Sequence, residues 1–182
     1  MRLPGLPLPH STLQPGHLIV TQDPQWVITL LGSCVAVTLY SPRFRLAAIC
    51  HAMLPGPCPE TSSAARDPRR FRFMSCAIPE MLARFQMAGL GPSEIEVKMF
   101  GGGNVLDLGD ASGKHRWIGA ENITAARQFL HAARLAIRAE NVGGNCGCKI
   151  AFNTLSGEVL HKSLSAGTRS PLESQERVIL KA

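Results

Sequence analysis

The fold is decided by WVITLLGSCVAVTLY, residues 26–40, in which two β-rich runs flank the tripeptide Gly32-Ser33-Cys34. The runs cover residues 26–31 and 35–40, and their Val, Ile and Thr residues favour strands. Apolar residues fill both runs without strict alternation, which is typical of strands covered on both faces. We therefore predict two buried strands of a layered α/β core, joined at a turn or bulge that glycine permits.

Further strands are predicted on both sides of this stretch. Residues 17–21 and 46–53 are short β-rich runs. Residues 94–100 alternate charged and apolar side chains, as a half-buried strand does. Residues 149–154 and 158–164 are separated by Leu-Ser-Gly, which predicts a hairpin.

Two helices are predicted from apolar residues at helical spacing. In the first, Pro79 occupies the first turn because proline lacks the N–H that an interior position donates; residues 73–78 lead in irregularly and Gly89 ends the pattern. The second runs from Asn122 to about residue 136. Its apolar stripe contains Ile123, Ala126, Phe129, Leu130 and Ala133. The fold class is therefore a layered α/β sandwich of mixed β-sheet with about two main helices.

Length and composition indicate one globular domain. The chain has 182 residues, and its hydrophobic share of 45% argues against global disorder. We predict a flexible lead-in at 1–13, a domain at 14–165 and a polar, loosely held tail at 166–182. The net charge of +6 is mild, and only the arginines near residues 66–72, a predicted loop, cluster. Nucleic acid is not a favoured partner.

No run is long enough to enter a membrane as a helix. Residues 27–40 form the longest near-apolar stretch, whereas a spanning helix needs ~20 apolar residues. Prolines interrupt the N-terminus where a signal peptide would be apolar. We therefore expect a cytoplasmic protein with six reduced cysteines. Cys146 and Cys148 can join His161 around a metal ion, but two small residues in a glycine-rich turn are the favoured interpretation.

The cysteine between the two central strands is a candidate nucleophile. Cys34 follows Gly32 and Ser33 at a bend where backbone N–H groups can converge into an oxyanion site. A thiol activated there can attack a carbonyl carbon. Taken alone, a buried and inert cysteine is the more common case, because free cysteine behaves as a small hydrophobe.

His51, which lies 17 residues after Cys34, strengthens the catalytic interpretation. Two neighbouring strands joined through Ser41-Pro42-Arg43 would bring its imidazole beside the thiol. Such a histidine favours the thiolate and can protonate a leaving amine, although a lone strand histidine is more often structural. Cys50 is the rival thiol. Adjacent strand residues face opposite ways, so if His51 faces the site, Cys50 faces the core.

Residues 101–103 are three successive glycines after a predicted strand. Their amides can form an anion-binding nest, but the Lys-Ser/Thr ending of a phosphate loop is missing. More often such a run lets a strand turn closely under another element. We favour that turn, at the border of the cleft.

Taken in order, these motifs resemble a known family, the chemoreceptor glutamine deamidases of bacterial chemotaxis, or CheD family. The resemblance spans roughly residues 14–165 and rests on several motifs in sequence rather than on one. They are Leu31-Gly32-Ser33-Cys34-Val35-Ala36-Val37, His51-Ala52-Met53-Leu54-Pro55, Gly101-Gly102-Gly103-Asn104-Val105-Leu106, Ile118-Gly119-Ala120-Glu121-Asn122, Gly143-Gly144-Asn145 and Thr154-Leu155-Ser156-Gly157-Glu158-Val159.

The resemblance implies an α/β sandwich with a Cys/His dyad that deamidates receptor glutamines to glutamate. Cys34 would attack the carboxamide, His51 would hold the thiolate and protonate departing ammonia, and the amide of Cys34 with a neighbour would hold the oxyanion. No metal or cofactor is required. The same pair can hydrolyse receptor methyl esters, which some family members are credited with.

The resemblance also implies a third site residue, a threonine shortly before the Gly-Ser-Cys turn, and Thr29 is the nearest match. The spacing varies by one residue among members, which in an unbroken strand changes the face, so a threonine chosen for β-propensity is an equal alternative. Many relatives carry arginine where Cys148 stands, and the adjacent Lys149 would face the other way. The missing arginine affects fine substrate recognition or partner docking rather than the Cys/His dyad.

The expected partners are the cytoplasmic helices of chemoreceptors, together with a CheC-type phosphatase. The alternative function is a non-catalytic chemotaxis adaptor that regulates by contact with receptors or that phosphatase. A thiol-dependent protease or transglutaminase-like enzyme is a weaker third interpretation.

Overall fold

Ten strands and two α-helices make up the computed structural model, which describes residues 8–58, 67–105, 117–164 and 177–179. Two short 3₁₀ turns cover Pro68–Arg72 and Pro92–Glu94. In chain order the longer elements are β1 His10–Thr12, β2 Leu18–Thr21, β3 Trp26–Leu31, β4 Val35–Ser41, β5 Leu46–Ala52, α1 Met74–Met87, β6 Glu96–Gly101, α2 Ile118–Ala132, β7 Ile137–Val142, β8 Gly147–Asn153, β9 Val159–Leu164 and β10 Arg177–Ile179.

The strands form two mixed sheets. The first sheet has the order β1-β3-β8-β9-β10 and the second has the order β2-β5-β4-β6-β7. Pairing is parallel between β1 and β3 and between β6 and β7, and antiparallel elsewhere. The predicted α/β sandwich of mixed sheet with two main helices is confirmed.

Two apolar cores separate three layers. The inter-sheet core lies between the sheets and takes side chains such as Leu31 and Ile150 from the first and Ile49 and Phe100 from the second. The helix-side core packs the opposite face of the second sheet against α1 and α2. Every residue of β4 is buried, so the predicted burial on both faces is confirmed for this strand. For β3 it is wrong, because Leu30 is exposed on the outer face.

The chain changes sheets at residues 32–34, which we call the Cys34 turn. A second turn, at the glycines 101–103, holds it: Gly102 N–H donates to the Cys34 carbonyl at 2.7 Å, and Gly103 N–H donates to the Gly32 carbonyl at 2.8 Å. Gly101 has a φ of +95°, and a Cβ there would collide with the Cys34 carbonyl. The glycine run is therefore a close-packed turn, as predicted.

Most predicted elements are confirmed, including the hairpin of β8 and β9, but three strands were missed. These are β1 and β10, which have three residues each, and β7, which pairs with β6 about 40 residues earlier in the chain. The prediction for α2 was about four residues too late at both ends, because α2 ends at Ala132 and Arg134 has a left-handed φ of 58°.

The predicted start of α1 at Pro79 is wrong. The helix begins at Met74, and Pro79 is its sixth residue. Met74, Ala77 and Ile78 are fully buried in the helix-side core, so apolar burial outweighs the one hydrogen bond that Pro79 cannot donate. The proline ring itself lies on the exposed face.

The expectation that all six cysteines are reduced is also wrong, because a disulfide joins Cys58 to Cys76. Leu54 pairs with Phe73 and accepts the N–H of Met74, which brings the two segments together. The two cysteine Cα atoms lie 5.4 Å apart, within disulfide range. Four cysteines are free: 34, 50, 146 and 148.

Several predictions concern segments outside the described residues: the lead-in at 1–7, residues 59–66 with Arg66, and most of the tail. In the described part of the predicted loop, Pro68–Arg72 form a 3₁₀ turn. The domain boundaries stay predictions. In the described part of the chain, neither helix has the length and apolar character needed to cross a membrane.

Replacing Pro79 by alanine is expected to stabilise the protein. The change restores an N–H that can donate to the Ser75 carbonyl, and it removes the steric conflict between the proline ring and that carbonyl. Alanine also makes the unfolded chain more flexible than proline does, which opposes this gain. The expected net increase in the free energy of unfolding is about 1 kcal/mol. Urea unfolding measures the difference. Ala83→Pro, at an exposed position one turn later, should instead cost about 3 kcal/mol. A less stable Pro79→Ala variant would contradict the interpretation.

Candidate active site

His51 lies near the end of β5 in the second sheet, and its ring faces the first sheet. Its strand, β5, runs between β2 and β4, where His51 pairs with Ala36. Its own N–H donates to the His17 carbonyl at 2.9 Å, and its carbonyl accepts from Gly16 N–H at 2.8 Å. The residue is 2% exposed. The backbone is therefore held from both sides, and the ring direction is set by the pleat.

Thr29 meets this ring from the other sheet. It lies between Val27 and Leu31 on the inter-sheet face of β3, and its Oγ1 is 2.7 Å from His51 Nδ1. The same hydroxyl donates to the Leu13 carbonyl at 2.9 Å. A hydroxyl has one proton, and a carbonyl only accepts, so Nδ1 must carry the proton donated to Thr29. In the neutral ring Nε2 is then the unprotonated nitrogen, with a lone pair that can accept a proton.

Cys34 directly precedes the first residue of β4, and its side chain packs against the inter-sheet core. It directly precedes the Val35–Ala52 pair, so it stands beyond the last pair of the ladder that contains His51. Diagonal neighbours on one face of such a ladder have Cα atoms about 7–8 Å apart. Cys50 belongs to the helix-side core, which confirms the prediction that it faces away. The thiol and the imidazole share one face of the sheet.

Burial keeps both groups neutral in the free protein. It lowers the pKa of His51 to about 4, against the opposing effect of the Leu13 carbonyl. Burial raises the pKa of the Cys34 thiol, and the N–H of Cys34 itself, which faces the sulfur, partly offsets this. The raised pKa departs from the expectation that His51 holds a thiolate at rest.

Of the predicted oxyanion residues, Gly32 and Ser33 supply carbonyls to neighbouring groups. The Gly32 carbonyl accepts from Gly103, and the Ser33 carbonyl accepts from Nδ2 of Asn122 at 3.0 Å. The N–H of Cys34 faces its own sulfur.

Two participants were missed by the sequence interpretation. The Leu13 carbonyl comes from the segment predicted as a lead-in, and no side-chain pattern marks a backbone acceptor. Asn122 was quoted only as part of a motif and as the start of a helix. Its signal was a polar residue four positions after Ile118, on the buried stripe of α2.

A cavity of about 190 Å³ opens beside the glycine turn and is lined in part by Cys146, Cys148 and His161. Within the described ranges, no three His, Cys, Asp or Glu side chains are arranged to hold a metal ion. Cys148 is buried against the inter-sheet core, which raises its pKa to about 11. Lys149 pairs with Leu30, on the outer face, and does not replace an arginine at 148.

Comparison with known proteins identifies the family. The sequence model of the family described as CheD chemotactic sensory transduction matches residues 53–163, more than half of the chain. The chain belongs to the CheD family. Cys34 and His51 lie just before the matched residues, so the family match alone does not assign them roles.

Individual relatives extend the CheD similarity over most of the chain. One, "Probable chemoreceptor glutamine deamidase CheD 2" of Geobacter sulfurreducens, is 40% identical over 87% of this chain and 92% of its own length. Another, "Probable chemoreceptor glutamine deamidase CheD" of Oleidesulfovibrio alaskensis, is 40% identical over 93% and 79%. A solved structure, hypothetical protein YfiH of Bacillus licheniformis, matches with a TM-score of 0.44 and 16% identity over 68% and 49%, which supports no argument about function.

The buried imidazole predicts an acid-sensitive fold. The pKa of His51 is about 4 when folded and 6.5 when unfolded, so between these values the unfolded chain binds the proton first. The stabilisation is complete above pH 6.5, and about 3 kcal/mol is lost as the pH falls towards 4. Urea unfolding at pH 7 and 4.5 compares wild type with His51→Gln. An equal loss in both proteins would contradict the assignment.

Proposed function

We propose that the protein is a chemoreceptor glutamine deamidase that uses Cys34 as nucleophile and His51 as base. The relatives that carry this name are 40% identical over most of their length. The observation that carries the proposal is the Thr29–His51 hydrogen bond across the sheets, which leaves Nε2 as the base on the face where Cys34 packs. In the β4–β5 ladder Cys34 is the diagonal neighbour of His51, and both side chains are on the inter-sheet face.

The proposed reaction has two stages, formation of a thioester and its hydrolysis, and His51 transfers protons in both. Nε2 of His51 takes the thiol proton as the Cys34 sulfur bonds to the carboxamide carbon of glutamine. The N–H of Cys34 stabilises the oxyanion. The imidazolium then protonates the amide nitrogen, ammonia leaves and a thioester remains. Water, deprotonated by His51, attacks the thioester and releases glutamate and the free thiol, so water and glutamine become glutamate and ammonia.

Thr29 is the proposed positioning residue in this cycle. Its Oγ1 accepts the Nδ1–H bond in both the neutral and the protonated imidazole, while its own proton is held by the Leu13 carbonyl. Hydrogen bonding at Nδ1 holds the ring in the tautomer that the base needs. Because no carboxylate occupies this position, the imidazolium gains little charge stabilisation, which agrees with the low pKa of His51.

The proposed setting is the cytoplasm, and the proposed substrate is glutamine on the cytoplasmic helices of chemoreceptors. The net charge of +6 favours approach to acidic receptor surfaces, an effect that salt weakens. A CheC-type phosphatase is the proposed additional partner. Hydrolysis of receptor methyl esters would follow the same thioester route with methanol as leaving group.

The catalytic assignment predicts a sharp difference between two cysteine variants. Cys34→Ala is expected to lose conversion of receptor glutamine, and His51→Ala to lose roughly 10²-fold or more, because nucleophile and base act together. Ammonia release and the mass gain of about 1 Da per site measure the reaction. Cys50→Ala, the matched control on the opposite face, should stay within about twofold of wild type.

The same assay grades the role of Thr29. Thr29→Val keeps the shape but removes the acceptor for Nδ1–H, and a loss of roughly tenfold is expected, whereas Thr29→Ser retains the bond and most of the rate. Equal conversion by wild type and Cys34→Ala would overturn the proposed function.

The second candidate is a non-catalytic adaptor, which the raised pKa of Cys34 favours because a buried neutral thiol is a weak nucleophile. Iodoacetamide labelling at pH 8 separates the two, with Cys146→Ser removing the exposed thiol. A catalytic Cys34 is expected to react at least about tenfold faster than Cys148, whose pKa is about 11. Equal labelling of the two thiols supports the adaptor.

A further inference from the structure

Asn122 joins the two chain segments that carry the proposed dyad. Its Nδ2 group donates to the Ser33 carbonyl at 3.0 Å and to the Met53 carbonyl at 2.9 Å. Ser33 directly precedes Cys34, and Met53 follows His51 by two residues. One side chain, 0% exposed, therefore uses both of its amide protons on the two segments.

The position of these bonds matters because the strand ladder ends there. The last pair between β4 and β5 is Val35 with Ala52, and both carbonyls lie beyond it. The glycine turn holds the Cys34 turn, and Gly16 and His17 hold the end of β5, so a link between these two segments beyond the last ladder pair needs a further bridge. Asn122 supplies that bridge from α2, in the place of one further pair of the ladder.

The helix that carries Asn122 is held close to the site. One turn earlier, Gly119 packs on the glycine turn so tightly that a Cβ would collide with the Gly102 carbonyl. Gly102 in turn donates to the Cys34 carbonyl. The helix is thus held against the glycine turn through Gly119, and the glycine turn is bonded to the Cys34 turn that accepts from Asn122.

The orientation of the amide is also determined. Oδ1 of Asn122 is buried without a partner, whereas Nδ2 has two. Rotating the amide by half a turn would place Oδ1 against two carbonyl oxygens, which cannot donate. A leucine would fill the same space without leaving a buried oxygen unpaired, so shape alone does not account for the amide.

We infer that Asn122 is a positioning residue that sets the separation of Cys34 and His51. This inference rests on the proposed function for its role in the reaction, but the geometric claim stands on the two hydrogen bonds. Losing them lets the thiol move relative to Nε2, and displacements of this kind cost much more in rate than in substrate binding.

The test compares Asn122→Leu with Asn153→Leu. Asn153 is also buried and also makes two side-chain hydrogen bonds to backbone, to Leu155 N–H and Ser156 N–H. It lies at the opposite end of β8 from Cys148. Both variants should lose stability in urea. Only Asn122→Leu is expected to lower kcat for deamidation, by about tenfold to a hundredfold, with KM within about twofold.

A second measurement needs no substrate. All proteins in this measurement carry Cys146→Ser, so that the exposed thiol does not react. With Asn122 present, His51→Gln should change the rate at which Cys34 is alkylated. In Asn122→Leu the same His51→Gln change should have much less effect, which a double-mutant cycle measures. Asn122→Ser, a smaller change that keeps one donor proton, is measured alongside with an intermediate loss expected, so the test does not depend on folding of the leucine variant.

The outcomes separate the two claims. Wild type that forms no glutamate would refute the proposed function, and the alkylation cycle then decides the positioning claim alone. An unchanged kcat in Asn122→Leu, or an equal loss of kcat in Asn153→Leu, would overturn the positioning role. So would a His51 effect on alkylation that persists unchanged in both Asn122 variants.

Discussion

The hydrogen bond between Thr29 and His51 connects two sheets that share no strand, and the candidate site depends on it. Because the single hydroxyl proton goes to the Leu13 carbonyl, the imidazole keeps its proton on Nδ1 and its lone pair on Nε2. The 2.7 Å distance is in turn set by how closely the sheets pack. The inter-sheet core, which includes Phe100 and Phe152, thus helps to set the geometry of the candidate site.

The predictions were correct for those strands whose sequence signal lies within the strand and the turn that ends it. The runs on either side of Gly32, and the hairpin around Gly157, have strand composition and a glycine at the break. β7 was missed because it alternates with charged residues and pairs only with β6, in parallel, a contact that no neighbouring residue announces. The end of α2 was missed because Arg134, rather than glycine, takes the left-handed position. Pro79 misled because burial overrode a local rule.

The site divides in the same way. Cys34, His51 and Thr29 were recognisable as candidates because their side chains suit the chemistry and their order resembles a family. The sequence analysis predicted that neighbouring strands bring Cys34 and His51 together, and β4 does pair with β5. The face of Thr29 was not predicted, since it follows from the change of sheet between β3 and β4. Leu13 contributes its backbone carbonyl, and Asn122 donates to the backbone carbonyls of two other residues. Such backbone partners leave no side-chain pattern in the sequence, so only their proximity in the structure identifies them.

The register of β3 has a consequence for how the protein folds. Trp26 pairs with Asn153, 127 residues further along the chain, and Leu31 pairs with Cys148. Contacts between such remote segments close slowly, because the entropy of a long loop is lost before any contact compensates for it. On the ribosome, Thr29 therefore has no partner on the β8 side until Ile150 has emerged. The second sheet, which carries His51, can pack earlier, so the contact between Thr29 and His51 is among the last features of the candidate site to form.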